Sequence, residues 1–135
     1  MSKLTKSKAW KELRSHYVKM SRSQMRDMFA KEPDRFERFS LSACGIFLDY
    51  SKNRVNDKTM KLLFNLARQA DVESWRDKMF QGEKINITEN RAVLHIALRN
   101  RANRPIMVDD KDVMPDVNRV LAHMKEFSDS IRNGT

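Results

Sequence analysis

Cysteine is the scarcest chemistry-bearing residue here: Cys44 stands alone among 135 residues, so no internal disulfide can form and the chain suits a reducing compartment. Its place between Ala43 and Gly45 favours a small packed residue over a nucleophile. Glycine is nearly as rare. Gly45, Gly82 and Gly134 are too dispersed to build a phosphate-cradling loop or a dinucleotide fingerprint. HExxH, CxxC and GxSxG are all absent, and His16, His95 and His123 lie far apart, so neither a metal set nor a hydrolytic nucleophile has a motif. No apolar run approaches the length of a membrane span, and Met1-Ser2-Lys3-Leu4-Thr5-Lys6 leads into more charge instead of an apolar signal region. These absences predict a soluble, unsecreted chain with no membrane partner.

Hydrophobic residues make up 40% of the chain, below the roughly 45 to 50% usual for globular domains, while charged residues reach 33%. The core is therefore lean unless further polypeptide covers part of this surface. The net charge of +9 is uneven: up to Arg38 there are eleven Lys or Arg against five Asp or Glu, two-thirds of the whole surplus. Such asymmetry raises the possibility of a small basic helical module that binds nucleic acid. Against it, Glu12, Asp27, Glu32, Asp34 and Glu37 are interspersed with the cations, which favours a solvated helical surface.

Apolar spacing predicts a mainly α chain with short β-strands, an α+β arrangement. A helix begins near Ser7 and presents Trp10, Leu13, Tyr17 and Met20 on one face. Ser23 is the expected cap of a short second helix carrying Met25, Met28 and Phe29, which ends before Pro33. Phe36 and Phe39 follow in a loop or helical turn, and residues 45–50 read as a strand. Asn56 caps the next helix, with Met60, Leu63, Phe64 and Ala67 as its apolar stripe, and Val72, Trp75 and Met79 continue in another that stops at Gly82. Ile85 and Ile87 form an extended entry, and Thr88 is placed to cap a helix holding Arg91 to Arg99. Residues 106–108 look like a buried strand that turns at Asp109-Asp110-Lys111-Asp112. Pro115 suits the first turn of a last helix, whose Val117, Val120, Leu121, Met124, Phe127 and Ile131 keep the helical period until Gly134. The nine Met and seven Phe are assigned to core packing.

One constellation looks deliberate. From Ala92 to Leu98 every residue but His95 is apolar, and Arg91, His95 and Arg99 recur at every fourth position, which on a helix puts them on one stripe. With Arg101 and Arg104 nearby, they could attract a phosphate or carboxylate. The favoured reading is structural: buried cations that pair with acidic groups or carbonyls of a covering element, with partners that can lie outside this chain. Residue types alone do not make His95 or Glu89 catalytic.

Three long strings, LDYSKNRV at 48–55, GEKINITENRAVLHIALRNR at 82–101 and VDDKDVMPDVNRVL at 108–121, resemble glucose-6-phosphate isomerases closely. Up to about Met79 the similarity is looser, in the placement of Trp10 and the 36–39 region. The resemblance implies the N-terminal helical part of an α/β sugar-phosphate-isomerase-type enzyme that is cytoplasmic, metal-independent, without a cofactor and usually homodimeric, interconverting glucose 6-phosphate and fructose 6-phosphate in glycolysis and gluconeogenesis. In that family a His and a Lys assist ring opening, a Glu moves a proton between C1 and C2 through an enediol, and a Ser/Thr-rich loop at a helix start holds the phosphate. All these motifs follow the region that this chain resembles, and members are several times longer. Residues 1–135 are thus expected to be a single N-terminal segment, truncated before the catalytic subdomains. It is expected to supply scaffold, with no catalytic, cofactor-binding or metal-binding residue, and to meet sugar phosphate only through the missing part.

Overall fold

The structure, a computed structural model, describes residues 4–134; the charged opening Met1-Ser2-Lys3 and Thr135 lie outside the described residues. The chain divides into two compact units, Met1–Asp71 and Val72–Thr135.

In the first unit a 3-10 turn (Leu4–Lys6) precedes α1 (Lys8–Met20), which starts as its sequence predicts: the Ser7 hydroxyl accepts the Trp10 N–H at 3.2 Å. The second helix, α2 (Met25–Lys31), is capped by Gln24 instead of Ser23, without a side-chain bond, and ends before Pro33. A single turn, α3 (Arg35–Arg38), leads into the antiparallel pair β1 (Ser40–Ala43) and β2 (Ile46–Asp49). Residue patterning predicts β2 but not β1. Ala43 pairs with Ile46, so Cys44 and Gly45 form a two-residue loop, both at positive φ (52° and 75°), the backbone that matches strand twist. Cys44 is accordingly exposed at a turn tip, not packed.

Asn56 caps α4 (Asp57–Gln69) as expected and forms a full capping box with Thr59. Helix α4 runs antiparallel to α1. The Ala9 N–H donates to the Gln69 side-chain oxygen at 2.9 Å at one end, and buried His16 meets buried Thr59 at 2.8 Å near the other. This face buries Thr59 and Leu62, whereas Leu63 and Phe64 of the expected stripe are exposed. The stripe is displaced because the buried His16–Thr59 bond fixes which side of α4 meets α1.

The second unit holds α5 (Val72–Phe80), α6 (His95–Leu98), the antiparallel pair β3 (Met107–Val108) and β4 (Lys111–Asp112), and α7 (Met114–Asn133). Asp109 and Asp110, at φ 49° and 61°, make the two-residue turn between β3 and β4. Pro115 sits in the first turn of α7, and Gly134 closes the helix in the left-handed region at φ 69°. Ala97, Ile106 and Met114 form the buried centre, with Leu94, Ile96, Val113 and Val117 packed around it. Gly82 has φ +78°, and a Cβ there would collide with the Met107 carbonyl oxygen, so two backbones approach where only glycine fits.

The mainly α, short-β class holds. Core assignment of the Met and Phe residues does not: among the described residues only Phe39 and Met114 of these types are buried, while Phe47, Phe64, Phe80 and Phe127 are exposed. Their helical spacing is real, but the faces they form have no cover within their own unit.

Candidate functional site

The expected helix from Arg91 to Arg99 does not form. Asn86 and Arg91 pair backbone to backbone in both directions, at 3.1 and 3.2 Å, and close a turn with Asn90 at φ 52°. The Asn86 side chain also accepts the Thr88 hydroxyl at 2.8 Å, so Thr88 serves this turn instead of capping a helix. Local side-chain bonds of this kind compete with helix formation. Only His95–Leu98 is helical, and Arg91, His95 and Arg99 do not share one stripe. All three are exposed, as are Arg101 and Arg104, which corrects the expectation of buried cations. Ala97 takes the buried position, against Ile106 and Met114.

His95, Arg99 and Arg104 nonetheless border one cavity of about 660 Å³, floored by Met79, Ile96 and Ile106. Arg99 donates to the His95 carbonyl at 3.2 Å, and the Asn100 amide donates to the Arg104 carbonyl at 2.7 Å, which shapes the rim. A neighbouring cavity of about 700 Å³ carries charges that neutralise one another: Lys84 pairs with Asp109 at 2.9 Å and Arg91 with Glu89 at 3.7 Å. Glu89 is thus engaged by Arg91, and no hydrogen-bond partner of the His95 imidazole occurs among the described residues. Neither forms an acid–base pair. Among the described residues no group of three His, Cys, Asp or Glu side chains could hold a metal ion.

The first unit contains a site that charge counting alone assigns to the solvated surface. Arg35 is fully buried. Its guanidinium donates to the carbonyls of Ser51, Asn53 and Val55 at 2.8, 2.7 and 2.8 Å and to the Glu32 carboxylate at 2.7 Å, above the Phe39 ring at 4.6 Å. Phe29, Phe36 and Phe39 around it in sequence are the only signal of this burial. Asp49 accepts both the hydroxyl and the N–H of Ser51, at 2.6 and 2.9 Å, and these bonds hold its carboxyl below the ordinary value. Arg38 is likewise engaged, by Asp57 at 2.7 Å, which raises its pKa. Two cations of the basic N-terminal region are therefore committed internally, and the nucleic-acid reading is not favoured.

The three recognisable strings acquire physical roles. In LDYSKNRV, the carbonyls of Ser51, Asn53 and Val55 build the Arg35 cage, and Asp49 holds Ser51 in place. GEKINITENR supplies Gly82 for the close approach to Met107 and Asn86 for the turn. In VDDKDVMP, Asp112 accepts the N–H groups of Ile106 and Met114 at 3.1 and 3.0 Å, tying the residue before β3 to the first residue of α7. Just beyond, hydrogen bonding and charge from Lys111 depress Asp116.

What these features define is an α+β segment whose specific residues hold backbone geometry. A family model described as phosphoglucose isomerase matches residues 49–135, well over half of the chain. Glucose-6-phosphate isomerase 1 of Neisseria gonorrhoeae is 58% identical over 127 residues, covering 94% of this chain and 23% of the relative. The Methylococcus capsulatus glucose-6-phosphate isomerase is 52% identical, with 99% and 24% covered, and that of Deinococcus radiodurans 48%, with 99% and 25%. The chain belongs to the phosphoglucose isomerase family. It spans about a quarter of the length of these curated relatives. No helix among the described residues is long and apolar enough to cross a membrane.

Proposed function

We propose that these residues are the N-terminal scaffold of a glucose-6-phosphate isomerase, an aldose–ketose isomerase that interconverts glucose 6-phosphate and fructose 6-phosphate in glycolysis and gluconeogenesis. The whole enzyme is cytoplasmic and homodimeric, and meets its sugar phosphate through subdomains that follow this segment. The carrying observation is 48 to 58% identity along 94 to 99% of this chain to relatives of which it spans only a quarter. The engagement of the family strings in turns, caps and the Arg35 cage supports the scaffold role. No catalytic, cofactor-binding or metal-binding residue is assigned within 1–135.

Proton transfer between C1 and C2 requires a positioned carboxylate base next to the carbonyl carbon. In the family resemblance that base follows the region matched here, and Glu89 instead forms an ion pair with Arg91 at 3.7 Å. Intact mass of the native product tests the reading. A polypeptide several times heavier than 15.9 kDa, co-purifying with isomerase activity, is expected; a native 15.9 kDa product would contradict it.

A further inference from the structure

We propose that the cavity bordered by His95, Arg99 and Arg104 seats a polypeptide segment from the remainder of the isomerase chain, carrying a carboxylate beside an apolar side chain. The inference rests on the scaffold reading and deepens it by stating what covers this face. The charge balance at the cavity is one-sided: two arginines and a histidine border it, and no Asp or Glu lines it. Arg99 bonds only a carbonyl of its own turn, and no ionic partner of Arg104 occurs among the described residues. Guanidinium groups so placed fit a carboxylate with two parallel hydrogen bonds.

Size and floor then separate a polypeptide from a small oxyanion. About 660 Å³ falls in the range that accepts a drug-sized body, roughly 300 to 1,000 Å³, and exceeds what one phosphate needs. Met79, Ile96 and Ile106 on the floor offer an oxyanion nothing, whereas an apolar side chain would bury against them. Phe80, which also lines the cavity, is 60% exposed. A small ligand inside the cavity would leave its ring largely in water, while a covering chain would bury it too. The relatives extend about four times this length, so they contain chain enough to supply the cover.

The test uses a full-length isomerase in which these 135 residues replace the matching quarter of the Neisseria gonorrhoeae relative. Arginine-selective labelling with phenylglyoxal, read site by site by mass spectrometry, is expected to be at least about tenfold slower at Arg99 and Arg104 in this enzyme than in the 135-residue chain, because a buried pair opens only rarely. The Arg99→Gln, Arg104→Gln double variant should shorten the half-life of the grafted enzyme at a fixed elevated temperature by about tenfold, and leave the melt of the 135-residue chain unchanged. Equal labelling in an active grafted enzyme would overturn the cavity assignment and spare the scaffold reading. Protection of both arginines in the 135-residue chain by millimolar inorganic phosphate would overturn it in favour of a small-anion site. A grafted enzyme that folds but does not isomerise would overturn the scaffold reading, and this proposal with it.

Discussion

Arg35 shows how much depends on a single side chain. Four of its five donors bind three carbonyls and one carboxylate while the side chain itself is fully buried, so truncation leaves those acceptors without their partner and the 51–55 loop without its anchor. Arg35→Met should cost about 3 kcal/mol, measured by denaturant unfolding, since removing one partner of a buried charge network costs roughly 3 to 5 kcal/mol; a loss within error would contradict the cage. Gly82→Ala places a Cβ against the Met107 carbonyl at positive φ and should destabilise the second unit by more than about 1 kcal/mol, visible as accelerated hydrogen exchange around residues 106–108. Asp49 supplies the pH dependence. Its folded value lies below the ordinary 3.8, so the bonds from Ser51 add stability above that value and lose it as pH falls through the lower folded value. The stability difference between the parent chain and Asp49→Asn should therefore shrink on acidification through that window and stay constant at neutral pH. A difference that widened in acid would refute the assignment.

Elements with self-contained signals are legible in the sequence alone. Ser7, Asn56, Pro115 and Gly134 mark the ends of α1, α4 and α7 because capping is settled within four residues of chain. Strand β1 escapes such a reading because Ser40-Leu41-Ser42-Ala43 carries weak β-propensity and is largely exposed, held mainly by its partner β2. The expected 91–99 helix rests on an apolar pattern that α6 uses differently: Asn86 captures Thr88 and pairs with Arg91, and Leu94, Ile96 and Ala97 reach the core from one short turn. The candidate site is legible in composition and not in geometry. Arg99, His95 and Arg104 do border one cavity, which Met79 and Phe80 of α5 and the 100–106 loop complete, while Arg91 turns to Glu89. At the β1–β2 turn, a side chain at positive φ is a local cost that can be relieved. Cys44→Asn gives the Asn-Gly pair that such a turn prefers, and should stabilise the first unit by about 0.5 to 1 kcal/mol in thermal melts; destabilisation would show that Cys44 serves another purpose.

At the scale of the whole molecule, supply of apolar side chains exceeds the space available to bury them. Twenty-one large hydrophobic residues are exposed among those described, against six hydrophobic residues in the buried class, and α7 alone exposes Val120, Leu121, Met124, Phe127 and Ile131. Burial of each such side chain is worth about 1.5 to 3 kcal/mol, so these faces represent stability that a longer polypeptide would realise by covering them. The lean composition points the same way, and the proposed enzyme provides the cover. The measurement closest to this account is conversion of fructose 6-phosphate by two purified proteins, the 135-residue chain and the full-length enzyme carrying it. The account predicts no turnover above a blank for the first and steady isomerisation by the second; turnover by the 135-residue chain unaided would contradict it.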